Sequence, residues 1–283
     1  MTTLADFRTQ TQRLLKDTSG SFWTASELND YINAARLKVA AMTVSVRTLQ
    51  SFYASPNVES YPFGGVTGFS VTAPGTAYTH ASAAFSGGGG SGAAASAQVA
   101  NGGVSSLTLT APGAGYTSAP TVALSGDGSG ASAVASIISA STIDVLGAFA
   151  LIGPSRRIQL AWMEWEDFSR RMRAVQVVNY PAAFSLYGTT LFLGPIPSQN
   201  YTIELDTAVV PPDLVLDTDI EIIPYVFQDA IPAYAAHLAK MKQQSFGEAS
   251  LFFKLFQERL GISNSVTRSN RTPNPYADDK ARW

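Results

Sequence analysis

A tandem repeat constrains this chain more than any other feature. Ala73-Pro-Gly-Thr-Ala-Tyr78-Thr recurs as Ala111-Pro-Gly-Ala-Gly-Tyr116-Thr, and Gly90-Ser-Gly-Ala93 recurs as Gly128-Ser-Gly-Ala131, each 38 residues on. A fixed period of this kind marks two copies of one supersecondary unit. Across residues 65–140 the only Asp, Glu, Lys or Arg is Asp127, whereas both flanks carry ordinary charged surfaces. The chain therefore reads in three parts. Residues 1–64 and 141–262 form a discontinuous host domain, residues 65–140 an inserted β module, and residues 263–283 an extended C-terminal arm.

Each copy follows one plan. An alternating strand (Phe69-Ser-Val71 or Leu107-Thr-Leu109) leads to Pro-Gly, which suits the centre of a type II turn because Gly accepts the positive φ. A Tyr closes that turn. A second strand runs into Gly-Ser-Gly, and an Ala/Ser alternation (Ala93, Ala95, Ala97, Val99; Ala131, Ala133, Ala135, Ile137) supplies the third. Small side chains at alternate positions suit two closely packed sheets or a narrow barrel.

The host opens with a short helix at residues 4–16. A better-marked helix follows at residues 24–45, where Thr24-Ala-Ser-Glu27 reads as a capping box and Trp23 with Leu28 as a hydrophobic staple. Leu28, Tyr31, Ile32, Ala35, Val39 and Met42 form its apolar stripe, with Arg36 and Lys38 read as lying off it. Short strands are expected at 49–61, 143–152 and 158–163, a short helix at 165–174, a hairpin around Gly188-Thr189, and a period-2 strand at 201–209 ended by Pro211-Pro212. A helix from Pro224 carries Phe227, Ile231, Tyr234, Leu238 and Met241, with Pro232 placed to kink it. The last helix, from Phe246 to Leu260, is rich in Phe and expected to end at Gly261 as C-cap. The expected class is α+β: a helical host domain with a small antiparallel β-sheet, interrupted by an all-β module of sandwich or barrel type.

Composition narrows the function. The net charge of −2 gives no global basic field for nucleic acid or anionic membrane. No cysteine is present, so disulfides and thiolate metal sites are excluded. The N-terminus has no basic leader followed by an apolar run, and no uncharged run outside the repeat suits a membrane span, so a soluble protein made in a cytoplasm is expected. No His-Glu-x-x-His, Walker loop or Gly-x-Ser-x-Gly elbow occurs. Gly87-Gly-Gly-Gly-Ser-Gly92 lacks the Lys-Ser/Thr of a phosphate loop and reads as a tight turn. His80 faces Ser118 in the other copy, and His237 lies near an apolar stripe, where a structural role is expected. Glu164, Glu166 and Asp167 form a tight acidic cluster, but Arg170, Arg171 and Arg173 follow, which suits a salt-bridged surface better than glycosidase chemistry. No catalytic, cofactor or metal residue is assigned. Because Pro, Gly, Tyr and Thr are kept between copies and ionisable groups are not, a duplicated catalytic or calcium site is disfavoured. Tyr78 and Tyr116 remain open as a ligand platform for sugars.

The host resembles the head-to-tail adaptor (connector) proteins of tailed bacteriophages. The likeness rests on the helix from Phe22 to Arg36, on Met163-Glu-Trp-Glu-Asp-Phe168, and on Pro181-Ala-Ala-Phe-Ser-Leu-Tyr-Gly188 with Leu191-Phe-Leu-Gly-Pro-Ile-Pro197. The strand, Pro-Pro and helical-pair ending completes it. The insert separately resembles Pro-Gly-x-Gly-Tyr repeats of phage structural and tail proteins, although copy one has Ala77 for the second Gly and Ser82 where copy two has Pro120.

The resemblance implies a homo-oligomeric ring, commonly of twelve copies, that joins the portal to the tail or nozzle and surrounds passing double-stranded DNA without reading its sequence. It implies a virion location at the head-tail junction, assembly in the host cytoplasm, and a C-terminal arm docked on the portal. Arg268, Arg271, Tyr276 and Trp283 are the expected contact residues of that arm. An alternative is a carbohydrate-binding or adhesin-type tail protein acting through residues 65–140 and Tyr78 or Tyr116. A peptidoglycan-cleaving enzyme using Glu164 and Glu166 ranks behind both.

Overall fold

The computed structural model describes residues 2–153, 156–174 and 177–269, with side chains described through Ile262. Among these residues the helices are α1 (Leu4–Leu15), α2 (Ala25–Thr43) and the one-turn α3 (Trp165–Phe168), which continues as a π-helical turn at Ser169–Arg173. Then follow α4 (Tyr225–Gln228), α5 (Ala230–Lys242) and α6 (Phe246–Ser269). The first strands are β1 (Arg47–Ala54), β2 (Ser60–Pro62), β3 (Val66–Thr76), β4 (Ala81–Ser86), β5 (Ser91–Ala100) and β6 (Gly103–Ala114). Next are β7 (Thr121–Gly126), β8 (Ser129–Ile137), β9 (Thr142–Ile152), β10 (Arg156–Gln159) and β11 (Ala161–Trp162). The last are β12 (Val178–Asn179), β13 (Ala183–Tyr187), β14 (Thr190–Gly194), β15 (Ile196–Pro197) and β16 (Tyr201–Val209).

Among the described residues strand outweighs helix and is distributed over four sheets, which corrects the expected α+β class. The protein is not a helical host with a small sheet and an inserted β module. Among the described residues, α1, α2, α4, α5 and α6 belong to one compact unit built from the stretches before residue 47 and after residue 209. Every strand, together with α3 and its π-helical turn, belongs to a second unit, residues 47–209. The strong helical signals at the two ends of the sequence overstated the helical share. Outside the repeat, β1, β9 and β16 run 8, 11 and 9 residues, but β11, β12 and β15 have two each and carry little periodicity.

In the helical unit, Thr3 caps α1 by a reciprocal capping box with Asp6, whose carboxyl is lowered by the Thr3 amide and hydroxyl. At α2 only half of the expected box forms. Thr24 Oγ accepts the Glu27 amide at 3.3 Å, but the Glu27 carboxylate accepts from Tyr31 Oη at 3.1 Å and pairs with Lys242 instead. Helix α5 is buried along Ile231, Ala233, Ala235, Ala236 and Ala239; its small side chains admit close neighbours on several sides. Pro232 removes the amide that would bond the Gln228 carbonyl, and the helix breaks there, between α4 and α5. Gly261 does not end α6. It lies outside the left-handed region, and the helix continues to Ser269.

In the β unit, the antiparallel sheet β1-β16-β9-β10 and the sheet β11-β13-β14-β2 share one core. Tyr201, Ile203 and Leu205 of β16 point into it at period 2, opposite Leu191, Leu193 and Phe184. Each fully buried Leu, Ile or Phe stabilises this core by about 1.5–3 kcal/mol.

The two repeat copies form a six-stranded, nearly closed barrel in the order β3-β8-β7-β4-β5-β6. Exchanging the copies turns this order into itself, because β3, β4 and β5 correspond to β6, β7 and β8. The copies are therefore interleaved. Pro74 pairs with Ala131 of the other copy, and Pro112 pairs with Ala93 in the equivalent place. These pairings also overturn the expected Pro-Gly turns. Pro74-Gly75 and Pro112-Gly113 lie inside long strands, as kinks where glycine φ is +70° and +65°. Ala95, Ala97 and Val99 alternate inward, and Phe69 meets Phe85 inside at 5.6 Å between ring centroids.

The barrel is mounted on β1 through buried groups. The Tyr53 amide donates to Ser136 Oγ at 2.8 Å, and Ser136 Oγ lies 2.9 Å from Thr67 Oγ1. Gly68 permits the contact: a Cβ there would lie 2.6 Å from the Tyr53 carbonyl oxygen. Gln50 adds a second clamp, donating to Thr142 and Thr207 and accepting the Ser139 amide at 2.8 Å.

Candidate functional site

Residues 210–224 connect β16 to α4, and among them only Ile220 pairs, in an isolated bridge to Thr3. Pro211 and Pro212 offer no amides, so these two positions cannot donate to a ladder and β16 ends before them. Its backbone groups still need partners, and side chains supply many of them. Asn33 of α2 clasps Leu214, donating to its carbonyl and accepting its amide, both at 3.0 Å. Arg36 Nη1 donates to the Pro212 carbonyl at 2.8 Å. The Asp219 carboxylate accepts the amides of Leu216 and Val215 at 2.8 Å, which holds its pKa below the usual carboxylate range. Glu221 Oε1 accepts the amides of Ile222 and Ile223, and the whole carboxylate pairs with the buried guanidinium of Arg36. From the other side, Leu4 and Ala5 donate to the carbonyls of Asp219 and Asp217, and Arg8 pairs with the Asp217 carboxylate at 2.5 Å.

This irregular backbone is thus fixed, and it sorts its side chains by direction. Leu214 and Ile223 enter the core of the helical unit. Val215, Leu216, Ile220, Ile222 and Tyr225 face outward, with exposures of 73%, 63%, 50%, 51% and 76%. Five large apolar side chains held out on a fixed segment form an adhesive surface rather than a catalytic one, and such a patch marks an interaction site. On α6 the aromatic side chains are less available than the sequence implied. Phe256 is buried and Phe253 packs against Tyr234 and His237, leaving Phe246, Leu251 and Ile262 as its outward apolar groups among the described side chains.

Arg36 was missed as a core residue by the sequence reading, which put it off the apolar stripe. The signal was present in the spacing: Leu28, Ile32, Arg36 and Ala40 recur every four residues, and all four are buried. Nothing in the local sequence points to Glu221 as its partner, 185 residues away.

The other residues singled out above fall as follows. Tyr78 and Tyr116 are 5% and 2% exposed, each lying over the glycine of its own Pro-Gly kink and the first glycine of the other copy's Gly-Ser-Gly. Arg268 lies in the last turn of α6, with its side chain outside the described part; Arg271, Tyr276 and Trp283 lie outside the described residues. Glu164 occupies the N-cap position of α3, and Asp167 pairs with Arg170. Arg173 pairs with Glu59 at 2.9 Å and covers the Trp165 ring. His237 Nδ1 donates to the Ala249 carbonyl at 2.8 Å and thereby ties α5 to α6. His80 is exposed beside Asp127, and Gly88 within the Gly-rich run accepts the amides of Thr117 and Ser118 as a turn. Among the described residues no group of three or more His, Cys, Asp or Glu side chains is arranged to hold a metal, and no helix is long and apolar enough to cross a membrane.

In a comparison with protein families, the model of the SU10 adaptor protein family aligns with residues 2–277. Comparison with curated proteins gives no match.

Proposed function

The chain belongs to the SU10 adaptor protein family, and from that membership we propose that it assembles into a ring joining the portal to the tail and lining the DNA exit channel. The family is one of phage structural adaptors, so the protein is a virion component. The ring, its portal and tail partners and its copy number, twelve by the resemblance, are the proposal.

The observation that carries it is the outward row Val215, Leu216, Ile220, Ile222 and Tyr225. A lone molecule gains nothing from holding these side chains in water, and a neighbouring copy would cover them. Its backbone is braced by Arg36, Asn33 and Glu221, so little ordering cost is left for assembly. In the same reading Arg268, Arg271, Tyr276 and Trp283 form the portal-contact arm, which the family match spans as far as residue 277. A net charge of −2 lets DNA pass without adhering.

The test is Leu216→Asp combined with Ile222→Asp, two exposed positions whose change leaves the core intact. The variant is expected to fold, with wild-type circular dichroism and melting, and to lose ring formation on the portal. Ring formation at wild-type yield would overturn the assignment of this row.

A further inference from the structure

The hydrogen-bonded order of the barrel leaves β3 and β6 as its edges, although β4–β5 and β7–β8 are joined at a single residue pair each. Its edge strands β3 and β6 run side by side without being hydrogen-bonded neighbours. They approach closely at both ends of the seam: a Cβ on Gly65 would lie 3.2 Å from Pro112 Cβ, and one on Gly103 would lie 3.1 Å from Pro74 Cβ. These contacts are equivalent under the 38-residue repeat. Between them the seam opens into a cleft of about 600 Å³, floored by β1 and the start of β16. That volume is in the range of small-molecule sites.

The lining has a definite chemistry. Among the described residues that line it, fifteen in number, none is Asp, Glu, Lys, Arg or His, and six are Ser or Thr. Among the described residues the hydroxyls of Ser70, Thr108 and Thr202 and the side-chain amide of Asn200 have no hydrogen-bond partner, which leaves their donors and acceptors for a ligand. Tyr53, Phe69 and Tyr201 are the aromatic residues among the lining. An ionic ligand finds no counter-charge here. An extended peptide cannot run along the seam, because both ends are pinched. A compact ligand with many hydroxyls and apolar C–H faces matches both features of the wall.

We propose that this cleft binds an uncharged saccharide of one or two rings. The site differs from Tyr78 and Tyr116, whose rings are buried against glycines. It does not depend on ring assembly.

The test uses the full-length protein and a panel of maltose, lactose and diacetylchitobiose, with sialyllactose as the charged comparator, read by saturation-transfer NMR and calorimetry. At least one neutral sugar is expected to bind saturably with a Kd of about 0.1–1 mM. Tyr53→Ala and Thr108→Trp are each expected to weaken it about tenfold or more. Thr108 is exposed, so its replacement fills the mouth without touching the core. It therefore keeps the test decisive if Tyr53→Ala fails to fold. No saturable binding across the neutral panel would overturn the proposal, as would undiminished binding by Thr108→Trp or a preference for sialyllactose.

Discussion

Arg36 and Glu221 meet at two points inside the helical unit, Nε to Oε2 at 2.5 Å and Nη2 to Oε1 at 3.0 Å, with side-chain exposures of 1% and 0%. The pair does more than neutralise charge. Arg36 also holds the Pro212 carbonyl, and Glu221 also holds the amides of Ile222 and Ile223. It fixes both ends of the segment that carries the outward apolar row.

Removing one partner strands the other. Arg36→Ala is expected to cost about 3–5 kcal/mol, read as a lower urea midpoint at unchanged m-value. A buried ion pair can often be replaced by apolar residues at no cost, but not here. Arg36→Met with Glu221→Leu leaves two amides and a carbonyl without their side-chain partners, so the double variant should remain at least about 2 kcal/mol less stable than wild type. A double variant as stable as wild type would show that the pair is dispensable to the segment.

The repeat supplies a matched backbone test. Ala77 has φ of +62°, in the left-handed region, and its counterpart Gly115 has φ of +81°. A Cβ on Gly115 would meet nothing closer than 3.7 Å, so only backbone strain separates the two residue types there. Ala77→Gly is expected to stabilise the barrel by about 0.5–1 kcal/mol and Gly115→Ala to destabilise it by about 1–2 kcal/mol. Thermal unfolding of the two variants checks this, and shifts of the same sign would contradict it.

Asp127 closes one barrel loop in the way a carbonyl closes the other. Its carboxylate accepts the Thr79 hydroxyl at 2.5 Å and the amides of Thr79 and His80 at 3.0 and 3.1 Å, whereas Thr117 and Ser118 use the Gly88 carbonyl. The Thr79 hydroxyl, then the two amides, hold the Asp127 pKa well below the usual carboxylate range. A lowered folded-state pKa stabilises the fold above the unfolded value, about 4, and the gain is lost as pH falls through the folded value. The melting gap between wild type and Asp127→Asn should therefore be full at neutral pH and narrow in acid. A gap that widens in acid would contradict the loop assignment.

The sequence disclosed elements with local signatures and hid those decided at a distance. Trp23 and Leu28 announced the start of α2, the Gly188-Thr189 turn announced the β13–β14 hairpin, and alternating Ala residues announced narrow barrel strands. Pro74-Gly75 misled because turn chemistry is local, while its pairing with β8 belongs to the other copy. Gly261 misled in the same way: a glycine can end a helix, but α6 continues through it. The strand-rich host was underread because β11, β12 and β15 have two residues each and depend on partners elsewhere in the chain. The candidate interaction surface was legible only in part. Arg36 was read as lying off the apolar stripe, although its four-residue spacing from Leu28 and Ile32 fits the buried face it occupies. Its partner Glu221 and the outward row lie in a segment with no periodicity to detect.

The most direct test of the adaptor account is the mass and shape of the purified protein, alone and with a portal ring, by light scattering and negative-stain imaging. The account predicts a ring, either preformed or assembled from monomers on the portal. A stable monomer that ignores the portal would contradict it.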